Sequence, residues 1–445
     1  MISSKDKEAL SCSYKKKISN PKKILKYKLQ KNFKENIISK KTIIKRIKYP
    51  INKSFKKEII YSNKNLFYKN KIFLSKKYHY IIHFLLLNLI LLFVPFVLSE
   101  DNSSNTNEII SILSLTVKGT GNQQILSNNY SDLPTKVFVN GEETQIQEIS
   151  VFYNDIKIFY IENLTSEQNN VTLKWDYQLT DCSKMFKGLN NIINVDFTFF
   201  NFSTIENISM MFYDCQNINY INFNNSTITS VIDMSGLFYN CISLTSLNLS
   251  NFINSKVNII ESIFTGCNSL EYLDLSYNNF ISIYFSKEIF NTLTSLKYLN
   301  LSNVKTNNID MSYIFSGLNN LISIDLSNFD SSNIINMEYM FNNCYNLIYL
   351  DLSNFKIEKA ENMTGMFYNC KSLTNLNISK LKTSYIINMP YMFYNCKNLT
   401  HLYLSGFNNT TVGNITSIFE GCSSLIFIIP TIFCKNRKFN FFRYI

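Results

Sequence analysis

Hydrophobic residues recur along this chain with a period far longer than that of a helix or a strand. A phenylalanine returns every 26 residues, with one interval of 25, from Phe186 to Phe419. The ten positions are 186, 212, 238, 264, 290, 315, 341, 367, 393 and 419. A period of this length predicts one supersecondary unit that is copied along the chain and stacked on itself.

Each copy contains two apolar patterns, which the stretch 336–361 illustrates. Apolar residues first fill the spacing i, i+3, i+4 and i+7, which predicts one face of a short helix. These residues are Met337, Met340, Phe341 and Cys344. The run L-x-x-L-x-L-x-x-F follows, and its central leucines alternate with polar residues, which predicts a short strand.

Neither the helical turn nor the strand could bury its apolar face alone, so the coils must stack and their strands must form a parallel sheet. The predicted fold class is an α/β solenoid, a leucine-rich-repeat horseshoe of about ten 26-residue coils over residues 181–430. The slot three residues after each phenylalanine holds Cys in seven coils and Leu in three, so we interpret it as an apolar core position.

The longest motif gives a specific resemblance. It reads MTGMFYNCKSLTNLNISKL at 363–381 and MPYMFYNCKNLTHLYLSGF at 389–407. This pattern resembles the BspA-like leucine-rich-repeat surface proteins, over roughly residues 180–430. The resemblance implies a surface or secreted protein linked with adhesion, and it brings no catalytic residues. The stretch 276–290 departs from the motif because it lacks the methionine slot.

The basic charge of the chain lies at one end. Residues 1–80 carry 24 Lys and Arg against four acids, and the whole chain is +12, so the other residues sum to about −8. We expect the segment 1–80 to be disordered. An apolar stretch at 81–98 follows it, and we predict a targeting segment over 81–99. A signal peptide cleaved after Ser99 and an uncleaved anchor with a cytoplasmic basic tail both fit.

Residues 100–180 differ in pattern from the repeats. The pair Asn140-Gly141 lies between two alternating segments, which is a strong hairpin signal. We predict a small β-rich cap that covers the apolar end of the first coil, with Trp175 in its core. At the other end, residues 431–445 form a basic tail that does not repeat.

The cysteines raise the question of a disulfide ladder. Export would favour oxidation, and equivalent Cα atoms of neighbouring coils lie about 5 Å apart. Their side chains would nevertheless all point into the core, and Leu replaces Cys in three coils, so we predict buried free thiols. No metal site or cofactor is expected, because no histidine accompanies the cysteines.

Catalysis has little support in the sequence. The three histidines are His79, His83 and His401, and there is no Gly-rich phosphate loop, nucleophile elbow or zinc motif. We therefore expect that the protein is not an enzyme. Acids such as Asp274 and Asp325 lie on the strands, where solvated side chains are the usual interpretation.

The outward face of the strands carries the candidate binding site. Its outward residue is Asp or Asn in eight of ten coils, and the residue two positions earlier is often Tyr. The predicted binding residues are Tyr272, Asp274, Tyr298, Asp325, Tyr349 and Asp351, which we call the strand-face patch. Rings can stack on sugars or pack against proteins, and carboxylates can accept hydrogen bonds. Alternatively, the Asp and Asn side chains bond along the sheet and the tyrosines only shield it.

Taken together, these patterns predict a non-catalytic, secreted or cell-surface repeat protein. It would mediate adhesion or bind a protein or glycan through its repeat surface, and it would contact a membrane only through an uncleaved 81–98 segment. No nucleic-acid partner is expected. Many N-x-S/T sequons predict a glycoprotein. The alternatives are a self-assembling coat or matrix protein and, less favoured, a hydrolase of surface glycans.

Overall fold

The computed structural model describes the β-rich N-terminal part and most of the repeats. The described residues are 110–128, 130–151, 156–223, 226, 228–283, 287–378, 381, 385–403 and 414–429. The basic segment 1–80, the apolar segment 81–98 and the tail 431–445 lie outside them. Within the described residues, no helix is both long and apolar enough to cross a membrane.

Seven strands precede the repeats. They are β1 (Ser111–Lys118), β2 (Gly121–Leu126), β3 (Lys136–Val139), β4 (Glu142–Thr144), β5 (Gln147–Val151), β6 (Ile156–Leu164) and β7 (Gln168–Trp175). Strands β3 and β4 form the hairpin that the sequence predicts, with Asn140 and Gly141 at φ 51° and 96° in its turn. Positive φ at both central residues is the geometry that Asn-Gly favours.

These strands join the first coil of the solenoid through one continuous sheet. Its order is β4-β3-β7-β1-β8-β9, and β1 runs antiparallel to the first repeat strand, with Leu115 opposite Val195. Trp175 is fully buried, and its indole Nε1 donates to the Asp132 carbonyl oxygen at 2.9 Å. The β-rich segment therefore covers the open end of the first coil, and the tryptophan lies in the core as predicted.

The repeats contribute twelve further strands. They are β8 (Ile192–Asp196), β9 (Tyr220–Asn222), β10 (Ser246–Asn248), β11 (Tyr272–Asp274), β12 (Asn279–Phe280), β13 (Tyr298–Asn300), β14 (Lys305–Thr306), β15 (Ser323–Asp325), β16 (Tyr349–Asp351), β17 (Asn375–Asn377), β18 (His401–Tyr403) and β19 (Phe427–Ile429). Most are three residues long, with the central residue buried and the first exposed. The predicted strand phase, meaning which positions of each strand face the core and which face outward, is therefore confirmed.

Consecutive repeat strands pair in parallel and in register, but over fewer turns than predicted. Seven pairs form, among them Leu273 opposite Leu299 and Leu350 opposite Leu376. The longest uninterrupted sheet is β10-β11-β13-β15-β16-β17. The regular solenoid thus has about seven turns of about 26 residues. The prediction of about ten coils in one horseshoe ladder is wrong in this count, because pairing stops between β9 and β10 and between β17 and β18 among the described residues.

The predicted helical turns do not form, so the α/β class is also wrong. The segment from Met337 to Cys344, which with its equivalents we call the turn segment, is a series of turns. The helical element that the structure describes in the repeats is one 3₁₀ turn, Lys287–Ile289. This solenoid is therefore built from strands and turns, with almost no helix.

Hydrogen bonds to the next coil replace those of a helix. Alternate backbone N–H groups of the turn segment donate to the coil that follows, as Tyr339 does to Thr364 at 2.8 Å and Phe341 to Met366 at 2.9 Å. The N–H groups between them close turns within the coil, as Asn342 does to Tyr339 at 3.0 Å. A helix would direct every N–H inside its own coil, whereas this arrangement joins neighbouring coils.

Left-handed residues make this geometry possible. Nine coils contain two residues of positive φ four positions apart, such as Tyr339 at 49° and Asn343 at 61°. The second of them is always Gly, Asn or Asp, the residues that adopt this conformation at least cost. These residues are Gly188, Asp214, Asn240, Gly266, Gly317, Asn343, Asn369, Asn395 and Gly421. Each directly precedes the Cys or Leu slot.

The core is a column of equivalent side chains. All ten repeat phenylalanines are buried, and most consecutive rings stack, with centroids 5.7 Å apart for Phe341 and Phe367 and 5.6 Å apart for Phe367 and Phe393. Stacking at these distances adds to the free energy of burying each ring. The column explains why phenylalanine recurs so regularly.

One coil departs from the others. It contains the 3₁₀ turn and the shorter interval from Phe290 to Phe315, and positive φ is absent from its described turn residues. A second ladder of parallel bridges, which links Asp310 to Asn336 and Asn362 further on, has no described bridge across this coil. This coil includes part of the stretch 276–290, which lacks the methionine slot of the motif.

We expect Leu350→Ala to destabilise the protein by about 2 to 5 kcal/mol, because it leaves a cavity in a fully packed column. The matched control is Asp351→Asn, whose side chain faces outward and can still accept the Ser353 N–H bond. It should cost under about 1 kcal/mol. Urea unfolding would measure both, and equal losses would contradict the strand phase.

We expect Gly266→Ala to destabilise the protein more than Gly317→Ala. Both glycines have φ 83°, so alanine costs about 1 to 2 kcal/mol at either site. A Cβ at 266 would also lie 2.1 Å from Asn240 Oδ1, whereas nothing lies within 4 Å at 317. Relieving that clash would break the Asn240 Nδ2 bond to Asp214 Oδ1 at 2.9 Å, at a further cost of about 1 kcal/mol. Identical urea midpoints for the two variants would contradict this close approach.

Candidate functional site

The strand-face patch presents its tyrosine rings to solvent. Tyr272, Tyr298 and Tyr349 occupy the first position of β11, β13 and β16 and are 39, 45 and 49% exposed. The alternation of each short strand buries the central leucine and turns the tyrosine outward. These rings therefore offer apolar faces and hydroxyl groups on one surface of the repeats.

Strand register brings two of the three tyrosines together. Tyr272 lies directly opposite Tyr298, whereas Ser323 separates Tyr298 from Tyr349. Since adjacent strands lie about 4.8 Å apart, the third ring is two strand spacings from the second. The patch thus consists of a tyrosine pair and a single tyrosine, with the small Ser323 between them.

The three aspartates are more constrained than the sequence suggested. Each carboxylate accepts the backbone N–H two residues later, as Asp351 does from Ser353 at 2.8 Å and Asp325 from Ser327 at 2.9 Å. Asp274 is only 9% exposed and also accepts from Asn300 Nδ2 at 3.0 Å. The Asp274 bond to Asn300 runs along the sheet, as the structural interpretation of the Asp and Asn row expects, whereas the bonds to the Ser327 and Ser353 N–H groups are local. The carboxylates hold the strand ends, and the tyrosines provide most of the exposed contact surface.

The aspartates also act on the tyrosine hydroxyls. Tyr349 donates its hydroxyl to Asp351 Oδ2 at 3.3 Å, and Tyr272 does the same to Asp274. Partial burial raises the pKa of Tyr349, and the negative charges of Asp351 and Asp325 raise it further. The phenol therefore remains a protonated hydrogen-bond donor into more alkaline solution than an ordinary tyrosine.

A groove adjoins the patch, and the sequence did not predict it. It has a volume of about 550 Å³ and is lined by Lys297, Ile322, Ile348 and Thr374, among others. Lys297 precedes Tyr298 and Ile348 precedes Tyr349 in the chain, so the groove lies next to β13 and β16, although its lining does not include the patch tyrosines. Ile348 is 47% exposed. An apolar residue directly before an outward tyrosine was the signal in the sequence, but such residues occur singly on most surfaces.

The charged groups of the groove and patch are few. Lys297 Nζ forms an ion pair with Glu271 Oε1 at 2.7 Å, and both side chains are exposed, so the pair contributes little to stability. The described residues contain no group of three or more His, Cys, Asp or Glu side chains that could hold a metal ion. The site offers aromatic faces, hydroxyl groups and apolar side chains for contact and hydrogen bonding.

The cysteines form the predicted buried column. Eight described cysteines are buried and free, and each of the seven repeat cysteines directs its thiol at the carbonyl oxygen of a phenylalanine in the preceding coil. The Cys370 Sγ lies 3.2 Å from the Phe341 oxygen, for example. Burial raises the pKa of Cys215, Cys267 and Cys422 to about 12. These thiols are core residues and poor nucleophiles.

The parallel register of coils about 26 residues long defines a leucine-rich-repeat-like solenoid. The family described as "Mycoplasma protein of unknown function, DUF285" matches residues 155–279, 285–401 and 346–429, which together make up more than half of the chain. The chain belongs to this family. The comparison with curated proteins gives no match.

Three solved repeat proteins show distant similarity. The structure of a TLR13–ssRNA13 complex has a TM-score of 0.25 at 16% identity and covers 57% of this chain and 45% of that one. The functional domain of InlJ from Listeria monocytogenes, described as including a cysteine ladder, has a TM-score of 0.23 at 12% identity, with coverage of 46% and 52%. The Toll–Spatzle complex from Drosophila has a TM-score of 0.22 at 16% identity, with coverage of 53% and 40%. This chain thus spans about half or less of each solved chain that it matches.

We expect the seven repeat cysteines to resist a thiol reagent at pH 8 in the native chain and to react with it after denaturation, since the column is buried and reduced. The raised pKa of the buried thiols also determines how the free energy of unfolding depends on pH. Between about pH 9 and 12 the unfolded thiols lose protons that the folded ones keep, so the free energy of unfolding should fall as pH rises through this range and stay unaffected by these thiols below it. Finding two or fewer thiols in the denatured chain would mean that the column is disulfide-bonded.

Proposed function

We propose that this chain is a non-catalytic, BspA-like surface protein, secreted or cell-surface, that binds a protein or glycan through its repeat surface. The observation that carries the proposal is the strand-face patch, whose three tyrosines are 39 to 49% exposed, with a groove lined in part by Ile322 and Ile348 next to its strands. Exposed aromatic rings are typical anchors of binding sites. Adhesion to another cell or matrix is the role that fits this chemistry.

The placement of the protein outside the cell rests on its sequence. The segment 81–98 would direct export, either as a cleaved signal or as an anchor, and the sequons would then make the chain a glycoprotein. Membrane contact would be confined to that segment. A buried column of reduced thiols is compatible with export, because raised pKa values slow thiolate chemistry.

Two alternative functions, a coat or matrix protein and a glycan hydrolase, predict different experimental results. A coat or matrix protein would use the same exposed tyrosines to bind copies of itself. A glycan hydrolase would need an acid and a base on opposite sides of a bound sugar. The bonding of Asp274, Asp325 and Asp351 to the strand ends argues for a structural role for these carboxylates.

We expect the triple variant of Tyr272, Tyr298 and Tyr349 to alanine to weaken binding at least tenfold. Binding of the labelled full chain to a printed oligosaccharide array and to cultured cells would measure this. Aromatic anchors commonly contribute about 2 kcal/mol or more each, so the loss of three should be decisive. The fold should persist, because exposed strand positions contribute little to stability.

The matched control is the double variant Tyr277→Ala and Tyr385→Ala, which removes exposed tyrosines that lie outside the strand-face patch. Unchanged binding by a folded triple variant would exclude the patch. Concentration-dependent light scattering without binding to either probe would favour the coat protein, and release of reducing sugar from the array would favour the hydrolase.

A further inference from the structure

A second surface, formed by the turn segments, carries a groove that is independent of the strand-face patch. It has a volume of about 860 Å³, and none of its lining residues belongs to the patch or to the groove beside it. Six tyrosines and one glutamate among its lining residues give it an aromatic and acidic character. Besides Tyr345, these are Tyr313, Tyr339, Tyr368, Tyr391, Tyr394 and Glu420. We call this site the turn-face groove.

Coil stacking sets these rings in contact. Tyr313, Tyr339 and Tyr391 occupy the first left-handed position of their coils, whereas Tyr368 and Tyr394 directly precede the second. The rings of Tyr368 and Tyr394 stack with centroids 4.6 Å apart. Tyr339 meets Tyr368 edge to face at 5.8 Å, and Tyr391 meets Tyr394 at 6.0 Å. The result is a continuous aromatic surface across four coils.

Gly365 makes room for the ring of Tyr339. A Cβ on this residue would lie 2.2 Å from the ring of Tyr339, so the ring occupies the space that any other residue would fill. Gly365 stands at the position where Tyr339 and Tyr391 stand in the adjacent coils, which leaves a gap in the row. Tyr339 leans into this gap and thereby reaches the edge of Tyr368.

The chain itself shows that tyrosines of this face accept ammonium groups. Lys371 Nζ lies 4.4 Å from the ring centroid of Tyr345, another lining residue, and Lys287 Nζ lies 6.0 Å from that of Tyr313. In another coil, Lys187 Nζ lies 4.8 Å from Tyr213. A cation over a tyrosine face is stabilised by the ring quadrupole.

The remaining rings have no such cation among the described residues. No described lysine lies over Tyr339, Tyr368, Tyr391 or Tyr394, and the lining includes neither lysine nor arginine. Two carboxylates supply negative charge instead. Glu420 lines the groove, and Glu338 accepts the Tyr313 hydroxyl at 3.4 Å. Burial, followed by the charge of Glu338, raises the pKa of Tyr339, which agrees with a negative potential here.

We propose that the turn-face groove binds a lysine-bearing segment of a partner protein. Lysine side chains would place their methylene groups along the tyrosine rings and their ammonium groups against the ring faces and the carboxylates of Glu338 and Glu420. A neutral sugar could stack on the same rings, but it would gain no charge attraction from these carboxylates. The mixture of π faces and carboxylates therefore favours a cation.

Calorimetric titration of the full chain with hexalysine tests this assignment. Hexalysine should bind with an affinity that falls as NaCl is raised, whereas a Gly-Ser hexapeptide should not bind. Tyr368→Ala and Glu420→Gln should each weaken hexalysine binding, by about tenfold for the ring and severalfold for the charge. The basic residues of 1–80 are the same in every variant, so differences between variants report on the groove.

The matched control is Tyr239→Ala. Tyr239 occupies the same turn position as Tyr368 and also stacks on a tyrosine, with centroids 4.3 Å apart, but it lies in a coil outside the groove. It should leave hexalysine affinity unchanged. If Tyr368→Ala lowers the urea midpoint, Glu420→Gln, an exposed substitution, keeps the test valid.

Three results would overturn the proposal. Equal hexalysine affinity of wild type, Tyr368→Ala and Glu420→Gln would show only general attraction to an acidic domain. Tighter binding of a neutral hexasaccharide than of hexalysine, lost in Tyr368→Ala, would make the groove a glycan site. Absence of hexalysine binding to the wild-type chain at low salt would exclude a lysine site altogether.

Discussion

Hydrogen bonds between equivalent positions of neighbouring coils are the interaction on which this structure depends. No single coil has enough apolar surface to fold alone, and its strand is usually three residues long. Both the strands and the turn segments use their backbone N–H groups to join one coil to the next. The period of about 26 residues follows from this requirement, because each donor needs its acceptor at the same place in the neighbouring coil.

The same register organises the surface into rows. Residues at equivalent positions of neighbouring coils lie about 5 Å apart. Where such residues are tyrosines their rings can stack, and where they are amides they can hydrogen-bond to each other. Asn395 donates to Asn369 at 2.7 Å and Asn369 to Asn343 at 2.9 Å in one such row. The strand-face patch and the turn-face groove are both consequences of this repetition. A binding surface on such a solenoid is therefore elongated along the rows, and a partner can contact several coils at once.

The constraint also explains which irregularities are tolerated. Core slots accept Cys or Leu because both fill the column. The second left-handed position holds Gly, Asn or Asp in all nine coils that have the pair, the residues that adopt this conformation at least cost, whereas the first also holds Tyr, Ser, Lys or Met. The coil with the 3₁₀ turn keeps its phenylalanine, Phe290, in the column, 5.5 Å from Phe315, while it lacks the left-handed pair. Burial of the ring is thus the stricter requirement, and the turn geometry can change where a coil finds other hydrogen bonds.

The sequence by itself determined the repeat, its period, the buried slots and which strand positions are buried, because burial imposes the same pattern on every copy; it also indicated the core position of Trp175. It did not determine the turn segments or the turn-face groove. The spacing of Met337, Phe341 and Cys344 fits a helix and a series of turns equally well, since both bury one residue in three or four. Only the neighbouring coil decided between them, by accepting the N–H groups that a helix would have used internally. The Gly, Asn or Asp before nine of the ten Cys or Leu slots was the local signal for turns, and stacking of the coils then brought tyrosines from different copies into one groove.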